Sequence, residues 1–366
     1  MTIPAHAPTW PLLLDEALSG RRVPAADAGW AMDQIMSGDA GPARIAAFLV
    51  ALRSSGVDAE QLAAMVDVML AHSVPIAVPG PSVDTCGTGG DDSGSVNIST
   101  MAAVVVAASG RTVVKHGNRA ASSLSGSADV LEALGVVADL APDLVGACVA
   151  EAGLAFCFAQ VFHPAMRHAG PVRKELGIRS VFNFLGPLAN PARPAAQVVG
   201  VADAAMAPVV AGALAARGTV ALVVRGEDGM DEITTLAPTV VWDARTADVR
   251  TGTIDTVDLG LPRPQPGALA GGDPAHNAQV ARAVLAGDDT GSSRAVRDAV
   301  AANAAAAMLV YDTATGEVAA DAPLLDALAP RVAQAQQLMI GGDALRTLDR
   351  WVQVSRQLAG VAPVGS

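Results

Sequence analysis

Aromatic residues are scarce in this chain: six Phe, four Trp and one Tyr make up 3% of 366 residues. Yet 51% of the residues are apolar, with Ala and Val dominant, so the core has to come from small side chains on closely packed helices and strands. Cysteine is nearly absent. Cys86, Cys148 and Cys157 are an odd number without a Cys-x-x-Cys spacing. That argues against a disulfide framework or a structural zinc site and points to a reduced, cytosolic setting. Basic residues are outnumbered, 24 Lys and Arg against 36 Asp and Glu, for a formal charge of −12. Such a balance disfavours non-specific nucleic-acid binding, while leaving room for a local basic pocket that takes a small anion. No basic segment precedes the short Leu run before Asp15 and Glu16, so no signal peptide is expected, and the apolar run 101–108 is too short to span a bilayer. The length suits about two domains.

Hydrophobic spacing divides the chain. Residues 25–36 after Pro24, 43–52 after Pro42, and 59–71 after a capping Asp58 read as helices, the last with Leu62, Met65, Val66 and Met69 on one face. No strand pattern interrupts this block, which reads as a small helical domain over residues 1–75. From about Ser82, β-rich runs near Val83 and over 112–115, 155–158, 197–201, 220–225 and 239–242 alternate with helical stretches. This alternation predicts βαβ units and a mostly parallel central sheet flanked by helices, over residues 76–366. The tail from Ala275 is mostly helical.

Four polar segments follow predicted strands, and a parallel sheet would put them on one rim. The first is Asp84-Thr85-Cys86-Gly87-Thr88-Gly89-Gly90-Asp91, leading to Ser95-Val96-Asn97-Ile98-Ser99-Thr100 and an apolar helix. It lacks the Gly-Lys-Ser/Thr of a P-loop and the spacing of a dinucleotide fingerprint. It is either a tight turn or an anion cradle at a helix start, with Asn97 or Ser99 as candidate N-cap. The second runs from Lys115 to Ser127 and holds two cations, two glycines, an amide and four hydroxyls. Either it is a long solvated loop or a second phosphate clamp, and two clamps imply a polyphosphorylated ligand. Asp231-Glu232, after Gly226-Glu227-Asp228-Gly229-Met230, suits an acid–base pair, Mg²⁺ ligands or a solvated turn. Beside two phosphate clamps the metal reading is favoured. The fourth, His163 to Gly177, reads as helical from Pro164, and Arg167 or Arg173 could pair with a substrate carboxylate.

Together these residues resemble a known family. Gly87-Thr88-Gly89-Gly90-Asp91, Asn97-Ile98-Ser99-Thr100, Lys115-His116-Gly117-Asn118-Arg119 with Ser122-Ser123, Pro171-Val172-Arg173-x-Glu175-Leu176-Gly177, Phe182-Asn183-x-Leu185-Gly186-Pro187-Leu188 and Gly229-Met230-Asp231-Glu232 occur in the order seen in anthranilate phosphoribosyltransferases. The resemblance covers nearly the whole chain. It implies a helical domain to which residues 163–185 return, an α/β domain, a homodimer joined through the helical part, and Mg²⁺, two ions per monomer.

Position by position, the resemblance assigns phosphoribosyl pyrophosphate to Gly87, Gly90, Asp91, Ser95, Asn97, Ser99, Thr100, Lys115, His116, Gly117, Asn118, Arg119, Ala120, Ala121, Ser122, Ser123 and Ser127. It assigns anthranilate to Gly87, Asn118 and Arg173, and Mg²⁺ to Ser99, Asp231 and Glu232. Lys115 and Arg119 would stabilise the leaving charge. Asp92 departs from the family, occupying a place often held by Gly, which puts the loop shape in question. The implied reaction moves a phosphoribosyl group to the amine of anthranilate. Two rivals are a pyrimidine nucleoside phosphorylase and a silent relative that binds nucleic acid. The Asn118-Arg119 and Asp231-Glu232 pairs disfavour the first, and the acidic charge the second.

Overall fold

The computed structural model describes residues 7–120 and 124–361. Seven strands form one sheet: β1 (Val83–Gly87), β2 (Val113–Gly117), β3 (Leu154–Phe158), β4 (Ala196–Gly200), β5 (Val220–Gly226), β6 (Thr239–Ala244) and β7 (Arg250–Ile254). Their spatial order is β3-β2-β1-β4-β5-β6-β7. The first five run parallel. β6 and β7 pair antiparallel at one edge. The antiparallel turn at β6 differs from the regular βαβ alternation expected, and β7 was not anticipated. Its segment, Arg250-Thr251-Gly252-Thr253-Ile254, buries only Ile254 and so carries almost no hydrophobic signal.

Both faces of the sheet are covered, so a strand such as β5 is apolar on alternate and intervening positions alike. In β5, Leu222 and Val224 belong to one core and Ala221 and Val223 to the other. The first core lies against the helices Ile98–Ala108 and Gly291–Ala314. Ala299, Ala301, Ala302 and Ala304–Ala307 of the latter are fully buried, which lets this helix approach the neighbouring helix and the strands β1, β4 and β5 closely. The second core joins Ala207–Ala216 to the N-terminal helices.

Those helices are Trp10–Leu18, Ala25–Met36, Pro42–Ser55 and Ala59–Ala71. The last starts with a full capping box. Asp58 Oδ1 accepts from Gln61 N–H at 2.9 Å, and Gln61 Oε1 accepts from Asp58 N–H at 2.8 Å. Three of the chain's few rings, Trp10, Trp30 and Phe48, pack together in this bundle. Residues 163–188 lean on the same bundle: Ala169, Val172, Val181, Phe182 and Leu185 share its core. They are not one helix. Ala159–Phe162, a 3₁₀ turn at Pro164–Arg167, Gly170–Leu176 and Phe182–Leu188 follow in turn, broken at Pro164 and at the left-handed Gly177. No helix among the described residues is long and apolar enough to cross a membrane.

Candidate active site

β1 has β2 on one side and β4 on the other, so the chain reverses its direction of winding at the β1/β4 seam. In open α/β sheets this seam opens a crevice at the carboxyl ends of the strands. Here the two strands end level with each other, Gly87 opposite Gly200. Neither could carry a side chain. A Cβ on Gly87 would lie 2.2 Å from Asp231 Oδ2, and one on Gly200 would lie 1.6 Å from the Asp231 carbonyl oxygen. The loop after β5 therefore lies directly across the seam and delivers Asp231 and Glu232 to it.

That loop is wound tightly. Gly226 N–H donates to Met230 O at 2.8 Å, and Asp228 accepts from Met230 N–H and from the Thr234 hydroxyl. This separates the four acids seen in sequence. Glu227 and Asp228 stay at the surface, whereas Asp231 is buried and Glu232 partly buried. Asp231 Oδ2 accepts from Gly89 N–H at 2.7 Å, and Glu232 Oε1 from Ser99 N–H at 3.2 Å. Asp91 approaches from the glycine loop, its Oδ2 taking Asp231 N–H at 3.4 Å. Burial pushes both Asp231 and Glu232 above the usual carboxylate range; Asp91 adds to the effect on Asp231, and Asp231 to that on Glu232.

Lys115 is the buried cation of this crevice, 1% exposed. Its Nζ donates to Thr85 O and to Ser99 Oγ, the latter at 3.1 Å. Asp84 lies fully buried below. Its carboxylate accepts from His116 N–H at 3.2 Å and from Asn190 Nδ2 at 2.9 Å. Burial raises its pKa to about 6, with Lys115 pulling the other way. Thr100, at the start of the Ile98–Ala108 helix, has a buried hydroxyl with no partner among the described residues.

Ser95 and Val96 are held by a neighbouring strand-like segment: Ser95 bridges Ala270, and Val96 N–H donates to Leu269 O at 3.0 Å. Asn97, one of the two candidates, occupies the N-cap position, though its side chain does not bond to the helix's first N–H groups. Instead Asn97 Nδ2 donates to Ser125 O at 3.1 Å, and its Oδ1 accepts from Asn277 Nδ2 at 2.9 Å. A long-range partner outcompetes the local cap. Asp92 takes φ 56°, a left-handed conformation, so the loop keeps the shape a glycine would allow despite the departure in sequence.

The second polar segment leaves β2 at Gly117. Ser127 opens the next helix, its Cβ 3.2 Å from where a Cβ on Gly117 would lie. Asp129 draws the two ends of the loop together, one oxygen accepting from both Ala120 N–H and Gly126 N–H at 2.9 Å. Asn118 is exposed and accepts from Arg119 N–H at 2.8 Å. Arg119 turns toward its own following helix, pairing with Asp129 at 3.0 Å and Glu132 at 2.6 Å, with its guanidinium 5.5 Å from the Phe158 ring centre. Ala121, Ser122 and Ser123 lie outside the described residues. His116 points to the opposite side of β2 from Lys115, its Nδ1 bonded to Gly186 O at 3.0 Å.

Three of the four rim segments thus meet at one place. The fourth does not stay on the rim. It carries Arg173 into the helical layer, with its guanidinium 5.1 Å from the Phe182 ring centre. No carboxylate pairs with Arg173 among the described residues, and burial lowers its pKa. No three His, Cys, Asp or Glu side chains among the described residues form a metal cage. The donor set of Asp231, Glu232 and the Ser99 hydroxyl instead suits Mg²⁺, which binds through one or two carboxylates and completes its shell with water and substrate phosphates.

Comparison with known proteins agrees with this arrangement. A profile of the glycosyl transferase family helical bundle domain matches residues 11–73, and one of the glycosyl transferase family a/b domain matches residues 79–344. Anthranilate phosphoribosyltransferase from Salinispora arenicola is 52% identical over 357 residues, covering 96% of this chain and 98% of that one. The chain belongs to the anthranilate phosphoribosyltransferase family. The relative from Nocardia farcinica is 52% identical over 346 residues, 94% of this chain and 99% of its own. The crystal structure of anthranilate phosphoribosyltransferase from Thermus thermophilus superposes with a TM-score of 0.85 at 41% identity, covering 94% of this chain and 99% of that one. The Saccharomyces cerevisiae enzyme in complex with PRPP and Mg gives 0.83 at 27% identity, covering 95% and 98%, and the same enzyme with 4-fluoroanthranilate gives 0.80 at 26%, covering 95% and 99%.

Several residues that build the site have no role assigned from sequence. Asp84 opens the first polar segment but has no function assigned there, and Gly200 reads as a strand end. Asn277 and Asn303 read as isolated polar positions on Ala-rich helices. Asn303 is fully buried on the Gly291–Ala314 helix. Its Oδ1 accepts from Ile233 N–H at 3.0 Å, and its Nδ2 donates to Ile233 O at 2.8 Å and to Ala299 O at 2.9 Å. It thereby anchors the backbone immediately after Asp231 and Glu232.

Proposed function

We propose that the protein transfers the phosphoribosyl group of 5-phosphoribosyl 1-pyrophosphate to the amine of anthranilate, releasing pyrophosphate, as a step of tryptophan biosynthesis. The observation that carries this reading is the convergence at the β1/β4 seam of a glycine loop, one buried lysine and a carboxylate pair. Asp231 and Glu232 sit where desolvation disfavours their charge unless a cation joins them. Mg²⁺ held by Asp231, Glu232 and the Ser99 hydroxyl would supply that cation and would offset the charge of the donor's phosphates.

On this reading Gly87, Gly90, Asp91, Ser95, Asn97, Ser99, Thr100, Lys115, Gly117, Asn118, Ala120 and Ser127 surround the donor, while His116, its ring turned away to Gly186 O, borders it through its backbone alone. The partnerless Thr100 hydroxyl and the Lys115 ammonium serve its phosphate oxygens. The C1–O bond to pyrophosphate breaks as C1 gains oxocarbenium character, the bonding pair leaving with pyrophosphate. The anthranilate nitrogen then closes a bond to C1 with its lone pair and loses a proton. No side chain needs to bond to the sugar. Lys115 and the backbone dipoles of the glycine loop stabilise the leaving charge, and the fixed geometry supplies the rest. Asn118 and Gly87 border the acceptor, and Arg173 faces its carboxylate with a guanidinium that no acidic side chain among the described residues neutralises.

Arg119 can join the donor clamp only by giving up Glu132 and Asp129. Two Mg²⁺ per monomer, a homodimer joined through the helical part, and a cytoplasmic setting belong to the same reading. So does a division in which residues 1–75 with 163–185 move against 76–366. The test is loss of anthranilate fluorescence when phosphoribosyl pyrophosphate and Mg²⁺ are added to purified protein. Loss that needs all components, with pyrophosphate appearing in step, is expected. Persistent fluorescence with no anthranilate bound would overturn the assignment.

A further inference from the structure

Arg179 lies in the turn between the helices Gly170–Leu176 and Phe182–Leu188, on the helical side of the molecule. It is partly buried, and no carboxylate pairs with it among the described residues. Its Nη2 donates to Gly89 O at 2.6 Å. The guanidinium meets the glycine loop end-on through that nitrogen: a Cβ on Gly90 would fall 1.5 Å from Nη2 and 2.4 Å from Cζ. Its own carbonyl accepts from Arg53 Nη1, which extends from the Pro42–Ser55 helix. The Gly89 peptide is therefore gripped from two sides. Asp231 takes its N–H, and Arg179 takes its C=O.

A guanidinium offers five donors in a planar fork that fits phosphate oxygens. Here the described residues give it one neutral carbonyl, in a chain with 36 acidic residues available to pair with it. Its position is beside the loop that, on the reading above, faces the donor's diphosphate. We propose that Arg179 binds the diphosphate of the donor, exchanging the Gly89 carbonyl for phosphate oxygens when the donor is present. This inference rests on the reading of the donor site given above. Because Arg53 holds the Arg179 backbone, the exchange links the helical layer directly to the diphosphate.

The experiment is calorimetric titration with Mg²⁺ and inorganic pyrophosphate, and separately with ribose 5-phosphate, for the parent, Arg179→Gln and Arg179→Lys. Charge-assisted bonds to phosphate predict that Arg179→Gln weakens pyrophosphate about tenfold or more, with Arg179→Lys between. Ribose 5-phosphate, which lacks the diphosphate, is expected to bind all three within about twofold, and the KM for anthranilate to move far less than that for the donor. Equal pyrophosphate affinity in parent and Arg179→Gln would overturn the inference while leaving the donor site intact. So would an equal loss for both ligands, which marks a merely structural role. A parent that binds neither phosphoribosyl pyrophosphate nor pyrophosphate would instead overturn the functional reading beneath it.

Discussion

Replacing Asn303 with alanine removes the side chain that fastens the carboxylate loop to the helix Gly291–Ala314. It leaves Ile233 N–H and Ile233 C=O buried without partners. Each orphaned backbone group costs about 1–3 kcal/mol, so the loss is roughly 2–6 kcal/mol. At about 2 °C per kcal/mol for a large domain, the unfolding temperature falls by roughly 4–12 °C. Asn303→Asp separates the hydrogen bonds from simple packing. Ionised, it still accepts from Ile233 N–H but cannot donate to Ile233 O, and it adds a buried charge near Glu232. Protonated, it makes both bonds. Burial raises the carboxyl's folded pKa above its unfolded value near 4, so the folded state holds a proton that the unfolded state has released. Stability of this variant relative to the parent therefore falls as pH rises through that window. Scanning calorimetry at about pH 5 and about pH 8 should show Asn303→Asp above Asn303→Ala at the lower pH and below it at the higher. In both variants the Mg²⁺ concentration for half-maximal turnover should rise more than the KM for anthranilate. Unfolding temperatures equal to the parent, or no crossover between the two variants, would refute the anchoring argument.

Three further outcomes follow from the same geometry. Asp231→Asn combined with Glu232→Gln should abolish Mg²⁺-dependent turnover while making the unliganded protein more stable near neutral pH, because the parent's raised carboxyl pKa values make its stability decline from the ordinary carboxylate range toward neutrality. Unfolding curves of parent and variant that run parallel across that pH range would count against it. Arg173→Ala should raise the KM for anthranilate by about tenfold or more and the donor KM far less; equal effects would remove it as the carboxylate partner. Arg119→Ala should cost at most about 1 kcal/mol of stability, since its ion pairs are solvent-exposed, and an unchanged donor Kd would place Arg119 outside the phosphate clamp.

The helices 25–36 and 59–71 were readable to the residue because their ends carry local signals, Pro24 and Asp58, and their faces repeat at helical spacing. β3, β4 and β5 were readable because buried parallel strands are short, mostly apolar runs, and β1 and β2 because a β-compatible start precedes each polar segment. The helix Leu324–Ile340 went unmarked within the tail, where Pro330 interrupts the pattern, and β7 had no pattern to read. At the site, the glycine loop, Lys115 and Asp231-Glu232 stood out because polar residues clustered after strands are poor core material. Arg119 stood out for the same reason. Yet its orientation depended on Asp129 and Glu132, which lie one and two turns along the next helix.

By itself, the sequence determined the composition of the two layers, the order of strands and helices, and the chemical types gathered at the strand ends. Those depend on interactions within a few residues: side-chain period, capping, and the conformational freedom of glycine. Only the tertiary structure decided that β4 crosses to the far side of β1, that Gly200 must be bare for Asp231 to pass over it, and that Asn303 and Asn277 reach across to the loops they hold. Only it brought Arg179 onto Gly89, ninety residues away in the chain. Such contacts are chosen by which surfaces can be buried together and which backbone groups would otherwise be left without partners, and neither is a property of any local stretch of sequence.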